Sequence, residues 1–118
     1  MNIVTLVGRL TRDPEVRYTQ SGKVKCTFTL AVDRSFPNQN GEYETDFLPI
    51  ILWGKTAEIA GNNCAKGQRL CVEGRIQVHS YEDKDKMKRW ITEVVGEHIE
   101  FIEHKNYSNS PDDKEIPF

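Results

Sequence analysis

Apolar and polar residues alternate with a period of two from about Asn2 to Glu103. On an extended backbone that spacing sends successive side chains to opposite faces, so it predicts half-buried strands. Val24, Cys26, Phe28, Leu30 and Val32 alternate with Lys25, Thr27, Thr29, Ala31 and Asp33, giving one strand with a single apolar face. Leu70, Val72, Gly74, Ile76 and Val78 alternate with Arg69, Cys71, Glu73, Arg75, Gln77 and His79, and Gly74 marks a bulge or a tight bend. Between these two, Asp46 to Trp53 turns Leu48, Ile50 and Leu52 toward a core and Phe47, Pro49, Ile51 and Trp53 away from it. Pro49 has no N–H to donate, so that strand must be edge-like or distorted there. Further strands are expected at about Asn2 to Leu10 and Arg89 to Val95, with a shorter one near His98 to Ile102.

One segment breaks the alternation. Lys55 to Ala65, between Gly54 and Gly67, is rich in Ala, Glu and Lys, and Ala57, Ile59, Ala60 and Cys64 suit a short helix. Three strands, a helix and two or three more strands make an all-β fold. They fit a five-stranded oligonucleotide-binding barrel with the helix between strands 3 and 4. Arg34 to Glu44 and Glu82 to Met87 read as hairpin loops. From Lys105 the composition turns to Asn, Ser, Pro and acids. The expected organisation is therefore one domain over 1–104 and a disordered tail over 105–118.

Composition narrows the function. The chain has 118 residues and a formal net charge of −2. Asp112, Asp113 and Glu115 against Lys114 account for that net, leaving residues 1–111 neutral. A neutral body does not advertise nucleic-acid binding as a basic one would, so such a reading must rest on where charges and aromatics lie. The three cysteines, Cys26, Cys64 and Cys71, form no C-x-x-C pair and predict no disulfide framework; with His79, His98 and His104 they match no common zinc module. No metal and no cofactor is expected. Arg9 interrupts the first apolar stretch, so no secretory layout and no membrane association is expected, and the address is expected to be cytoplasmic.

No Gly-rich phosphate loop, nucleophile elbow or metal-binding His pair is present, so nothing asks for catalysis, and the expectation is a protein that is not an enzyme. The aromatics are more informative. Period two puts Phe47 and Trp53 on one face, opposite the core, and sets Tyr81 on the outward face with Arg75, Gln77 and His79. Large outward aromatics serve either as a subunit interface or small second core, or as a platform on which bases stack. In the second reading Arg75, Lys55 and the cluster Lys84, Lys86, Lys88 and Arg89 track phosphates.

At these residues the sequence resembles the bacterial-type single-stranded DNA-binding proteins. The resemblance runs through Val7-Gly8-Arg9-Leu10, Asp13-Pro14-Glu15-Val16-Arg17-Tyr18, Phe28-Thr29-Leu30-Ala31-Val32, Trp53-Gly54-Lys55-Thr56-Ala57-Glu58, Lys66-Gly67, Val72-Glu73-Gly74-Arg75 and Thr92-Glu93-Val94-Val95. It ends on Asp112-Asp113-Lys114-Glu115-Ile116-Pro117-Phe118, which is similar to that family's acidic partner-binding tip. The resemblance implies sequence-independent binding and protection of single-stranded DNA in replication, recombination and repair, usually by a homotetramer. It implies stacking by Phe36, Phe47, Trp53 and Tyr81, and phosphate contacts by Lys55, Lys66 and Arg75. It implies recruitment of replication, repair and recombination proteins through Asp112, Asp113, Glu115, Ile116, Pro117 and Phe118. Trp90 falls where the family often carries an aromatic, and a core role suits it equally well. Pro49 and Gln77-Val78-His79-Ser80 stand where many members carry more basic residues, and the linker is short. Two other readings use the same fold: an interaction protein whose outward aromatics meet other proteins, and a small barrel nuclease, which would need a metal-binding carboxylate cluster.

Overall fold

A computed structural model describes residues 1–102. Six strands and one helix follow in the order β1 (Val4–Leu10), β2 (Glu15–Tyr18), β3 (Val24–Asp33), β4 (Thr45–Trp53), α1 (Gly54–Asn63), β5 (Arg69–Glu82) and β6 (Lys88–Phe101). The sheet order is β1-β5-β6-β4-β3-β2. The sheet curls until β1 meets β3 through Arg9 opposite Ala31 and Leu10 opposite Leu30, which closes a ring. Gly8 makes that closure possible, because a Cβ there would collide with the Ala31 carbonyl oxygen.

The ring encloses the residues that alternation turned inward. Leu10, Cys26, Leu30, Ile50, Leu52, Leu70 and Val72 are almost wholly buried. Helix α1 packs mainly on β3, with Ala57, Ala60 and Cys64 joining the core. These small side chains let the helix sit close. Ile59, expected on that apolar face, is instead exposed, because the three- and four-residue steps from Ala57 to Cys64 pass it by. Pro49 lies opposite Thr29, one residue before β4 begins its short parallel pairing with β6 at Ile50. At Pro49 the strand is therefore an edge, as its missing N–H requires.

Four further expectations change. Glu15–Tyr18 forms a strand of its own, with every residue exposed, paired antiparallel to β3. The two segments expected at Arg89–Val95 and His98–Ile102 are one strand, β6, with a register shift opposite Glu73 and Gly74. Glu97 is the extra residue, and a Cβ on Gly74 would strike the Val95 carbonyl oxygen, so the glycine admits the bulge. Ile51, expected on the face opposite the core, is nonetheless buried, because pairing with β6 lays Val95 beside it. Ile76 and Val78, expected in the core, are exposed. Beyond Ile76 and Val94 the hairpin of β5 and β6 runs past the ring as a two-stranded arm, and β5 is exposed from Ile76 to Glu82.

Candidate nucleic-acid interface

The outer surface of β3 and β4 carries two exposed rings, Phe47 and Trp53. Register pairs Lys25 with Trp53, Thr27 with Ile51, Thr29 with Pro49 and Ala31 with Phe47, so these side chains share one face. The small Ala31 neighbour on β3 leaves the Phe47 ring standing clear, whereas Lys25 is the neighbour of Trp53. Phe36, Phe47, Trp53 and Tyr81 are 82%, 64%, 42% and 47% exposed. Rings so exposed are accessible to a ligand.

Trp53 has the most developed surroundings. Lys25 Nζ sits 5.6 Å from its ring centroid, within cation–π range. A groove beside the ring is lined by Thr19, Ser21, Lys23, Lys55 and Glu58. It forms because the β2–β3 turn, tied by Thr19 and Lys23 backbone bonds, faces the first turn of α1. Lys55 thus stands beside Trp53, as expected, and Lys23 and Lys25 join it. Their alternation with apolar residues showed only that they faced out; register made them neighbours of the ring.

A second groove flanks Phe47 and is lined by Val7, Arg9, Arg69, Asp33 and Thr45. Arg9 also donates through Nη1 to the Gly67 carbonyl at 2.9 Å. A third runs over Thr27, Thr29, Pro49 and Ile51 and contains Arg12, Lys25, Asp13, Glu15 and Glu93. Glu93 is buried on this outer side, and its Oε1 lies 2.9 Å from His79 Nε2. The platform therefore mixes acids with bases, in keeping with the neutral composition.

The remaining expected residues are spread out. Lys66 follows α1, a helix roughly 15 Å long, so it lies a helix length from Lys55. Its backbone N–H donates to Asp13 Oδ1 at 2.8 Å. Arg75 lies on the outer face of β5, but Glu97 Oε2 accepts from its Nη1 at 2.9 Å, which counters its charge within the chain. Lys84 and Lys86 stand at the tip of the arm, beyond Tyr81. Lys86 adopts φ 62°, the left-handed region, to turn the hairpin. Asp83 holds that turn by accepting from the N–H groups of Asp85 and Met87 and from Arg89 Nε, each at 2.9 Å. These bonds keep its carboxyl below the usual aspartate range, the Arg89 bond most of all.

Trp90 is exposed on the arm with Lys88 Nζ 5.5 Å from its ring, so the core role is overturned. The physical reason is the length of the arm, which carries Trp90 past the end of the ring. Tyr43 is a further exposed ring, in the β3–β4 loop with Phe36. Asp112, Asp113, Glu115, Ile116, Pro117 and Phe118, like the expected disordered tail over 105–118, lie outside the described residues.

The model of the "Single-strand binding protein family" matches residues 1–102. The chain is 51% identical over 108 residues to "Single-stranded DNA-binding protein 2" of Listeria innocua, an alignment covering 92% of this chain and 68% of that protein. It is 49% identical over 110 residues to "Single-stranded DNA-binding protein 2" of Clostridium acetobutylicum, covering 92% of this chain and 82% of that one. It is 48% identical over 106 residues to the "Single-stranded DNA-binding protein" of Bacillus cereus, covering 90% and 62%.

Proposed function

The chain belongs to the single-strand binding protein family, and from that premise we propose that it binds single-stranded DNA without reading its sequence. The observation that carries this reading is the outer face of β4, where Phe47 and Trp53 stand exposed with Lys25 over the indole. Every base has a π face, so a ring can stack on any of the four, and a nearby ammonium neutralises the phosphate that follows. The platform comprises Phe36, Phe47, Trp53 and Tyr81, with Lys55, Lys66, Arg75, Lys84 and Lys86 along the backbone path. Arg75 is the weakest of these, since Glu97 already engages it.

The protein acts by binding and not by catalysis, in the cytoplasm, and protects single strands during replication, recombination and repair. It works as a homotetramer of domains spanning 1–104. The segment 105–118 carries the tip that recruits partner enzymes. The test is a titration of intrinsic tryptophan fluorescence with oligo-dT at several salt concentrations. Stacking on Trp53 quenches the emission. The neutral body makes the slope of log K against log salt shallow compared with a basic relative, at about −0.7 per neutralised phosphate. No quenching and no retained DNA at low salt would end this reading.

A further inference from the structure

We propose that Tyr43 is a further base-stacking residue, and that Arg34 positions Tyr43 and Phe36 by clamping the foot of the β3–β4 loop. This rests on the single-strand binding reading above. Both rings lie on the loop between Asp33 and Thr45, one on each limb, and both are exposed, Tyr43 to 60%. Tyr43 precedes Thr45 and Phe47, which share the outer face of β4, by two and four residues on the same limb, so it adjoins the platform on β4.

A ring on a slack loop loses in ordering entropy much of what stacking supplies. This loop is not slack. The Arg34 N–H donates to the Glu44 carbonyl at 2.9 Å, extending the ladder beyond the strands. The Arg34 guanidinium spans two carboxylates: Nη1 donates to Glu44 Oε2 at 2.7 Å, and Nε and Nη2 fork onto Asp46 at 3.1 and 3.0 Å. Thr45 Oγ1 donates to Asp33 Oδ1 at 2.8 Å on the other face of the same foot. At the tip, Asn38 Oδ1 accepts from the N–H groups of Asn40 and Glu42, and the Asn38 N–H donates to the Glu42 carbonyl. These bonds tie the two limbs of the loop to each other and to the start of β4, while its two rings are exposed. Two carboxylates already face the Arg34 guanidinium, so it has little charge left to offer a phosphate. Its part is to hold the loop.

The experiment titrates the full chain with oligo-dT across a salt series. Tyr43→Ala is expected to weaken binding at least about fivefold with an unchanged salt slope, since a ring and not a charge is lost. Tyr43→Phe, which keeps the ring, is expected to recover the loss. Arg34→Lys keeps the charge but gives up the fork, and is expected to weaken binding with the slope unchanged. In a Phe36→Ala/Tyr43→Ala background the same Arg34→Lys change is expected to cost nothing further, because no rings remain to be positioned. Wild-type affinity in Tyr43→Ala overturns the stacking role. Wild-type affinity in Arg34→Lys, or an equal loss in the ring-less background, overturns the positioning role. A wild-type chain that fails to bind oligo-dT overturns the functional reading itself, and that outcome is separate from the others.

Discussion

Trp53 combines an exposed ring, a cation over its face and a groove at its edge, so it is the side chain whose loss should be felt most. Trp53→Ala is expected to weaken oligo-dT binding by about 1–3 kcal/mol per protomer. Trp90 is a second emitter on the arm, so fluorescence should be read in a Trp90→Phe background. An unchanged affinity with the fold intact would remove Trp53 from the platform. The cysteines give a second residue-scale expectation. Burial pushes the Cys26 thiol up to about 11, so almost none of it is thiolate at neutral pH. Cys64 is buried as well, whereas Cys71 lies half-buried on the outer side of β5. A thiol reagent at pH 8 should therefore label Cys71 ahead of Cys26 once the oligomer is dissociated, and Cys26 only on unfolding. Mass spectrometry of the labelled peptides checks the order, and early labelling of Cys26 would contradict the core assignment.

Among the elements, the arm depends most on electrostatics, because few apolar contacts hold its tip. Asp83 fastens the turn, and its carboxyl is held below the usual range by Arg89 and by the Met87 and Asp85 N–H groups. A lowered folded-state pKa means the contribution is fully present above the ordinary aspartate value and is lost as pH falls through the folded one. The arm amides should therefore keep their hydrogen-exchange protection, apart from the intrinsic rate change, between pH 8 and pH 5. They should lose it only in the acid range. Asp83→Asn should loosen the turn at every pH and remove that acid transition. Protection that decays between pH 7 and 5 would point to a different group. Asp46, lowered mainly by its hydrogen bond to Arg34, follows the same sign, so the β3–β4 loop should also hold across neutral pH.

At the scale of the whole molecule, the outer side of β1 exposes Ile3 and Val7 beside half-buried Cys71. A neutral body with such a face should self-associate, and family membership points to a tetramer. Sedimentation at micromolar concentration is expected to show an oligomer; a stable monomer would contradict it. The tip supplies another expectation. The proposed docking role has the acidic run follow a basic ridge on a partner while the Phe118 ring enters an apolar pocket. Phe118→Ala keeps the charge of the run but removes the apolar anchor. Pull-downs should then lose repair and replication-restart enzymes while DNA affinity stays nearly constant. Recovery of the same partners would retire the docking role.

The sequence by itself determined which residues alternate, and hence β1, β3, β4 and β5, the short helix after Trp53 and the outward parity of Phe47, Trp53 and Tyr81. Those features follow from local geometry: a period of two needs no knowledge of neighbours. Only the tertiary structure decided what lies beside each residue. Register placed Lys25 over Trp53, and parallel pairing with β6 buried Ile51. The length of the arm carried Ile76, Val78 and Trp90 out of the core although their pattern matched core residues. Glu97 was brought to Arg75 across a bulge, and Arg34 met Asp46 across the loop, so two cations were engaged inside the chain. Periodicity reports which face a side chain takes; burial and charge pairing depend on which strand, if any, covers that face, and that is settled by contacts distant in sequence.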